Sequence, residues 1–399
     1  MSKKLPDYGL AKQKLKDVLF CQGLASGIKK NAKNDLALLF LPTCYAAAGL
    51  FTKNKFKAPS VALSQAHLKE AVPKAILINS GCANAGMGEQ GLDDAKEMIK
   101  HTAKGLGLLE EEVLLAQTGI IGTKMPMEQV SLGIQELVKS IRDKNILDWE
   151  SCAQAMMTTD TTSKISTVSV GQDGLILGMT KGSGMIAPNM ATTLSVLVTS
   201  IKLDSKGLQA ALKEAMDQSY NRASVDTDTS TNDMVLLLST GQVQLENQNY
   251  FNEALNAVCF DLMKQLLLDA EGAEKMIVAH IKGAESQQVA ECMAKAMIDS
   301  PLIKTMMAGK SPNWGRILMV LGKIAGELDS PLDTTRLWVA MNDTFLFKEG
   351  KGMLTPQDTL DFSKDTVSVV VDLKAGHFES KAYGCDMHEA YVTINKDKN

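Results

Sequence analysis

The residues best suited to chemistry gather in Lys181–Ser200, KGSGMIAPNMATTLSVLVTS. Its first part is glycine, small residues and Pro188, which suit a loop held close to other backbone. Thr193–Thr199 then alternates and branches at Cβ as a buried strand does. Ala191-Thr192-Thr193 therefore places hydroxyls at the mouth of a strand. A threonine hydroxyl is a weak nucleophile without a base beside it. One solution is a threonine whose own α-amine is that base, which requires a cut in the chain just before it. Leu114–Gly122, LLAQTGIIG, offers a companion. The Thr118 hydroxyl beside the Gly119 N–H makes two donors of the kind that hold a developing oxyanion. Set against this, an isolated Thr-Gly is more often a mere turn, and a glycine loop before a strand is usually only a loop.

Other constellations are weaker. Gly182-Ser183-Gly184-Met185-Ile186-Ala187 fits a dinucleotide fingerprint, but that motif must open a helix, and Pro188 with the strand-like run leaves no room for one. The alternating oxygens of Ser224–Asp233, SVDTDTSTND, invite a calcium reading. The turn glycine is missing, and the twelfth position from Asp226 is Leu237 rather than glutamate, so a hydrogen-bonded loop before a buried strand is expected. His67, His101, His280, His377 and His388 have no ligand spacing, and no metal site is expected. The loop Asn79–Gly86, NSGCANAG, follows an apolar run, and small polar loops at strand ends often line sites.

With 399 residues the chain can bury a large core, and two domains are expected, 1–283 and 284–399. A net charge of −4 gives no basic footprint for nucleic acid. The start, MSKKLPDYGL, has no apolar stretch of a secretory signal, and no run approaches the roughly 20 apolar residues of a membrane span. Cys21, Cys44, Cys82, Cys152, Cys259, Cys292 and Cys385 are scattered and odd in number. Reduced thiols in a cytoplasm are therefore expected, without disulfides or zinc.

The elements that must position these residues follow from periodicity. Strands are expected at Leu36–Leu41, Ala75–Asn79, Ile165–Val170, Met234–Leu238, Met276–Ile281, Trp338–Met341, Thr366–Leu373 and Tyr391–Asn395. Helices are expected at Leu92–Leu106, ended by Gly105 or Gly107, and at Leu208–Tyr220, Phe251–Leu268 and Gln287–Ile298. Another is expected at Met127–Ile141, with Val130, Leu132, Ile134, Leu137 and Ile141 on its apolar face. Ser311–Arg316, SPNWGR, reads as a compact turn with one aromatic anchor.

From Gly23–Lys29, GLASGIK, nearly to the end, the chain resembles the ornithine acetyltransferase family, the glutamate N-acetyltransferases of arginine biosynthesis. The blocks that carry the resemblance are NSGCANA at Asn79, TGIIG at Thr118, MTTDT at Met157 and KGSGMIAPNMAT at Lys181. DTSTND at Asp228, DAEGA at Asp269, SPNWGRI at Ser311 and YVTIN at Tyr391 continue them in order. The resemblance implies an α+β fold in which helices cover stacked β-sheets, of the self-processing N-terminal-nucleophile type, with a smaller C-terminal α/β domain. It implies self-cleavage between Ala191 and Thr192 into α (1–191) and β (192–399) chains, assembled as α2β2, with Thr192 as nucleophile. Thr118 and Gly119 match the family's oxyanion hole. Thr158, Lys181, Glu271 and Asn395, with Thr192 itself, match its substrate contacts. The implied substrates are N-acetylornithine and glutamate, with no bound cofactor, and acetyl-CoA is left open as a second donor. A hydrolase using the same threonine, and an inactive binding relative, also stay open. The chain departs from the family at Cys82, Thr193 and Thr227, and the family carries a last substrate-contacting hydroxyl just where this sequence stops, at Asn399.

Overall fold

The computed structural model describes residues 8–144, 146–187, 193–355 and 358–396. Two compact units partition the chain. The first comprises 1–182, 188–221 and 229–266, and the second comprises 183–187, 222–228 and 267–399.

Two sheets form the first unit. Strands β1 (Phe20–Leu24), β2 (Leu36–Phe40), β4 (Ala75–Asn79) and β5 (Val113–Gln117) line up in the order β1-β2-β4-β5, with β4 and β5 parallel. Strands β3 (Ala46–Phe51), β6 (Lys164–Val170), β7 (Gly174–Lys181), β8 (Leu194–Ile201) and β9 (Met234–Val243) form the second, in the order β3-β9-β8-β7-β6. The facing sides interdigitate in one core, where Leu39, Ile76, Ile78 and Leu114 meet Leu177, Val196, Val198 and Leu236. Strands β4, β5 and β8 are buried on both faces, which is why they read as continuous apolar runs.

Helices cover the outer faces. α3 (Gly88–Leu106) and α4 (Met127–Lys144) place Met98, Ile99, Val130, Ile134 and Leu137 on Leu38, Leu77 and Leu115 of the first sheet. Gly107, with φ 74°, ends α3 by the left-handed turn that glycine permits. In the second sheet Gly178 lies against Val258 and Leu262 of α7 (Gln248–Leu268), and the Gly49 N–H donates to Gln209 Oε1 of α6 (Ser205–Gln218) at 3.2 Å. The expected α4 face is corrected at one position, since Leu132 is 61% exposed. At 3.6 residues per turn it sits off the stripe set by Val130, Ile134 and Leu137.

The second unit is a smaller two-layer α/β body. Its sheet comprises β10 (Met276–Ala284), β11 (Trp338–Met341), β12 (Thr344–Lys348), β13 (Lys351–Gly352), β14 (Thr366–Asp372) and β15 (Phe378–Cys385), ordered β13-β12-β11-β14-β10-β15. Helices α8 (Gln287–Asp299), α9 (Pro301–Ala308) and α10 (Trp314–Leu328) bury Met293, Met297, Met307, Ile317 and Leu321 against its apolar face. β14 alternates buried and half-buried residues, as a one-sided strand must. The expected boundary near Gly283 falls inside β10. The SPNWGR segment is more than a turn, because Trp314 opens α10. Tyr391–Asn395 is not a strand but lies in a helix, α11 (Glu389–Lys396). Its β-branched residues favour a strand, yet no strand pairs with it among the described residues and Val392 is largely exposed. Thr393 and Asn395 instead bond the carbonyls of Glu389 and Tyr391, one helical turn back.

Candidate active site

In the first unit the candidate residues stand at strand ends. β5 runs into Thr118-Gly119, and β4 beside it runs into Ser80-Gly81-Cys82. The Thr118 N–H donates to the Asn79 carbonyl at 3.0 Å, and the Ala83 N–H to the Ile120 carbonyl at 3.0 Å. The Thr118 backbone donor is thus engaged, which leaves its hydroxyl to act. Gly119 has φ +133°, and a Cβ there would lie 2.3 Å from the Gly81 carbonyl carbon. Only glycine allows this approach. Buried amides lock the turn. Gln117 Nε2 donates to Asn79 Oδ1 at 2.9 Å, and Asn232 Nδ2 donates to the Ala83 and Gln117 carbonyls at 2.7 and 3.0 Å. The NSGCANA, TGIIG and DTSTND blocks therefore interlock. Cys82 is buried with Sγ 3.1 Å from the Thr123 carbonyl, and burial raises its thiol pKa.

Lys181 closes β7, and its Nζ reaches 3.5 Å from Thr118 Oγ1. A buried carboxyl fixes the backbone just beyond it. Asp160 Oδ1 accepts from the Gly182 N–H at 2.7 Å and from Lys164 Nζ at 2.6 Å, and Oδ2 accepts from the Thr158 N–H at 2.9 Å. Burial alone would raise the Asp160 pKa, but Lys164 and Lys181 outweigh it and hold the carboxyl below the usual range. Asp160 thereby ties together Thr158 and Lys181-Gly182, three positions from two separate blocks. Lys29 adds a second cation. Burial draws its ammonium down to about 8, against the pull of Asp35 and Asp160 and with help from Lys181. Its loop is held by Asp35, which accepts from Ser26, Gly27 and Lys29 backbone N–H groups.

Thr192 and Ala191 lie outside the described residues. Thr193 does not. Its hydroxyl bonds Thr180 Oγ1 at 2.9 Å and the Lys181 carbonyl, and it is buried. Of the two adjacent threonines, Thr193 is committed to the sheet.

The second unit brings together Glu271 and Asn395. Asn395 Nδ2 donates to Glu271 Oε2 at 2.7 Å, and the Glu271 N–H donates to the Ser183 carbonyl at 2.9 Å. Gly184 faces the Glu271 carboxylate so closely that a Cβ would lie 2.5 Å from Oε2. Asp226 holds the same glycine segment, accepting from the Met185 and Ile186 N–H groups at 2.6 and 2.8 Å and from the Tyr391 hydroxyl at 3.2 Å. The Ser224–Asp233 loop is hydrogen-bonded, as expected. No helix follows the glycines before β8 among the described residues. Asp160, Lys164, Lys29 and Asp226 were missed as supporting residues. The charged residues inside otherwise small, polar blocks were the available signal.

These features define an α+β protein of the stacked-sheet class, with the Lys181 ammonium and the Thr118 hydroxyl brought together where β7 and β5 end. The ArgJ family model matches residues 20–398, and the chain belongs to the ArgJ family. It is 40% identical over 388 residues to the arginine biosynthesis bifunctional protein ArgJ of Dehalococcoides mccartyi, covering 93% of each chain. It is 41% identical over 388 residues to the arginine biosynthesis bifunctional protein ArgJ 1 of Clostridium acetobutylicum, covering 94% of each. A solved structure of the ornithine acetyltransferase of Mycobacterium tuberculosis, complexed with ornithine, is 33% identical. That match covers 45% of this chain and 95% of the other, with a TM-score of 0.42.

Proposed function

We propose that the protein is an acetyltransferase of arginine biosynthesis that moves the acetyl group of N-acetylornithine to glutamate through an acetyl-Thr192 ester. The observation that carries this reading, within a family whose curated relatives are named arginine biosynthesis bifunctional proteins, is the placement of Lys181 Nζ 3.5 Å from the hydroxyl of the Thr118-Gly119 turn. The commitment of the Thr193 hydroxyl to the sheet supports Thr192 as the nucleophile.

The chain cuts itself between Ala191 and Thr192. The new α-amine, with an ordinary pKa of about 7.7–8.0, is partly neutral at pH 7 and accepts the Thr192 hydroxyl proton. The hydroxyl attacks the acetyl carbonyl, and the oxyanion is held by the Thr118 hydroxyl and the Gly119 N–H. The amine returns its proton to the departing ornithine nitrogen. Glutamate then attacks the ester and leaves as N-acetylglutamate, so kinetics are ping-pong. Lys181 pairs with the substrate carboxylate, Thr158 adds a hydroxyl contact, and Glu271 with Asn395 receives an amino group. The thioester carbonyl of acetyl-CoA is open to the same attack and is the second donor. The processed protein assembles as α2β2.

Intact mass and product analysis test the reading. Purified protein gives two chains, the second beginning at Thr192, and Thr192→Ala stays whole and inactive. Acetate release equal with and without glutamate identifies a hydrolase instead. A fully active uncut chain removes the N-terminal threonine from the mechanism.

A further inference from the structure

A cavity in the first unit holds charges of both signs, and none of the residues given a part in the mechanism lines it. Its volume is about 590 Å³, within the roughly 300–1,000 Å³ of small-molecule sites. One wall is α3. Gln90, Asp94 and Glu97 recur along it at helical spacing, so one face of the helix presents all three. The facing wall is Lys124, Met125 and the first turn of α4, Met127 to Gln129.

Asp94 is 4% exposed, and the surface it keeps opens on the cavity. Its Oδ1 accepts from Gln90 Nε2 at 2.8 Å, while Oδ2 accepts no hydrogen bond among the described residues. A carboxylate oxygen so deeply set and without a donor is costly to leave bare, and it calls for a cation. Glu97 beside it meets only His101 among the described residues, at 3.7 Å. The opposite wall has the complementary need. The Val130 N–H donates to the Pro126 carbonyl at 3.1 Å, but the Glu128 and Gln129 N–H groups before it have no acceptor among the described residues. Two such donors at the start of an 18-residue helix favour an anion. Lys124 stands on the same wall and makes no ion pair among the described residues.

We propose that this cavity binds a free basic α-amino acid, at a site separate from the transfer reaction. The side-chain cation of the ligand meets Asp94 Oδ2, with Glu97 beside it. The α-carboxylate meets Lys124 and the free N–H groups of α4, and the α-ammonium meets the Glu128 carboxylate. Met125 and Met127 receive the methylene stem, for which a flexible thioether is well suited. Three carboxylates face one lysine. The cavity therefore favours a ligand with two cations and one carboxylate over a neutral or acidic amino acid. No cluster among the described residues is arranged for a metal ion, so the cation is an organic one. Nothing in this site depends on the reading of Thr192.

Calorimetric titration of the full-length protein is the test, with L-arginine, L-citrulline and agmatine as probes. Ornithine has the same chemistry but is also a product of the transfer, so arginine is the cleaner probe. Citrulline is its neutral isostere, and agmatine lacks the carboxylate. L-Arginine is expected to bind saturably, and the other two about 10–150-fold more weakly, the value of a hydrogen bond to a charged group. Asp94→Asn is expected to erase the preference for arginine over citrulline and to keep that over agmatine. Lys124→Ala is expected to do the reverse, and Lys181→Met, in the transfer site, to leave arginine binding unchanged. Arginine binding that survives Asp94→Asn and fails in Lys181→Met belongs to the transfer site and overturns the inference. A wild type that binds arginine and citrulline alike, or neither, also overturns it. If Asp94→Asn does not fold, Glu97→Gln serves: a reduced preference for arginine over citrulline is expected, and an unchanged one overturns the inference. Because the readout is binding, an uncut and inactive protein that still prefers arginine overturns the Thr192 reading and upholds this one.

Discussion

Substituting Gly119 by alanine probes the oxyanion turn without removing any polar group. The added Cβ would lie 2.3 Å from the Gly81 carbonyl carbon and 2.4 Å from the Cys82 nitrogen, where ordinary contact begins at 3.4 Å. Both atoms are backbone, so no flexible side chain can swing away, and one loop must retreat by about 1 Å. Overpacking of this kind costs about 1–3 kcal/mol. A displacement of about 1 Å in a catalytic group costs roughly 10²-fold in rate, and complete loss of one oxyanion donor costs about 10²–10³-fold. Gly119→Ala is therefore expected to lower kcat about 10²-fold or more, with KM much less affected, because the donor acts on the transition state. Gly122, three residues on, is the control. It too has positive φ, +77°, but nothing lies within 4 Å of its would-be Cβ. Gly122→Ala should lose about 1–2 kcal/mol of stability from its left-handed backbone and keep its kcat. The assay is steady-state acetyl transfer from N-acetylornithine to glutamate, with urea midpoints in parallel. Equal losses of kcat in the two variants would show that positive φ, not the approach to Gly81, is what matters, and a wild-type kcat in Gly119→Ala would return the turn to a structural role.

Lys164→Met strands the Asp160 carboxylate, whose side chain is 0% exposed, and breaking such a pair costs about 3–5 kcal/mol. Asp160 is held below its unfolded value of about 3.9, so its contribution to stability is complete above that value and fades as pH falls toward the depressed one. Urea midpoints of the wild type should hold from pH 7 to about pH 5 and drop below about pH 4; Lys164→Met should start lower and lose the part of that drop due to Asp160. Lys181→Met should weaken N-acetylornithine about 10–150-fold, the value of a hydrogen bond to a charged group, and weaken a donor lacking the carboxylate much less. Equal losses for both donors would refute the carboxylate role.

What the sequence revealed depended on the range of the forces involved. The apolar runs of β4 and β8 and the 3.6-residue stripe of α3 are local patterns, and they survive in the fold. Tyr391–Asn395 misled because its β-branched side chains speak for a strand, while the choice is made by distant contacts. Gly272, with φ +70°, lies against Ala390 and Tyr391, and Asn395 reaches Glu271. The site shows the same division. Thr118, Gly119 and Lys181 were visible as residue types, yet the pairing of Thr118 with Lys181 spans 63 positions that no spacing rule connects. Asp160 and Asp233 were hidden for a different reason. A carboxylate in a polar block looks like a solvated loop residue until burial is known, and burial is a property of the whole sandwich. Once both are seen to be buried, their partners separate their roles. Asp160 has all it needs in Lys164 and two backbone N–H groups, so it holds the architecture. Asp233 has one oxygen left over among the described residues, next to Thr193 just before the start of β8.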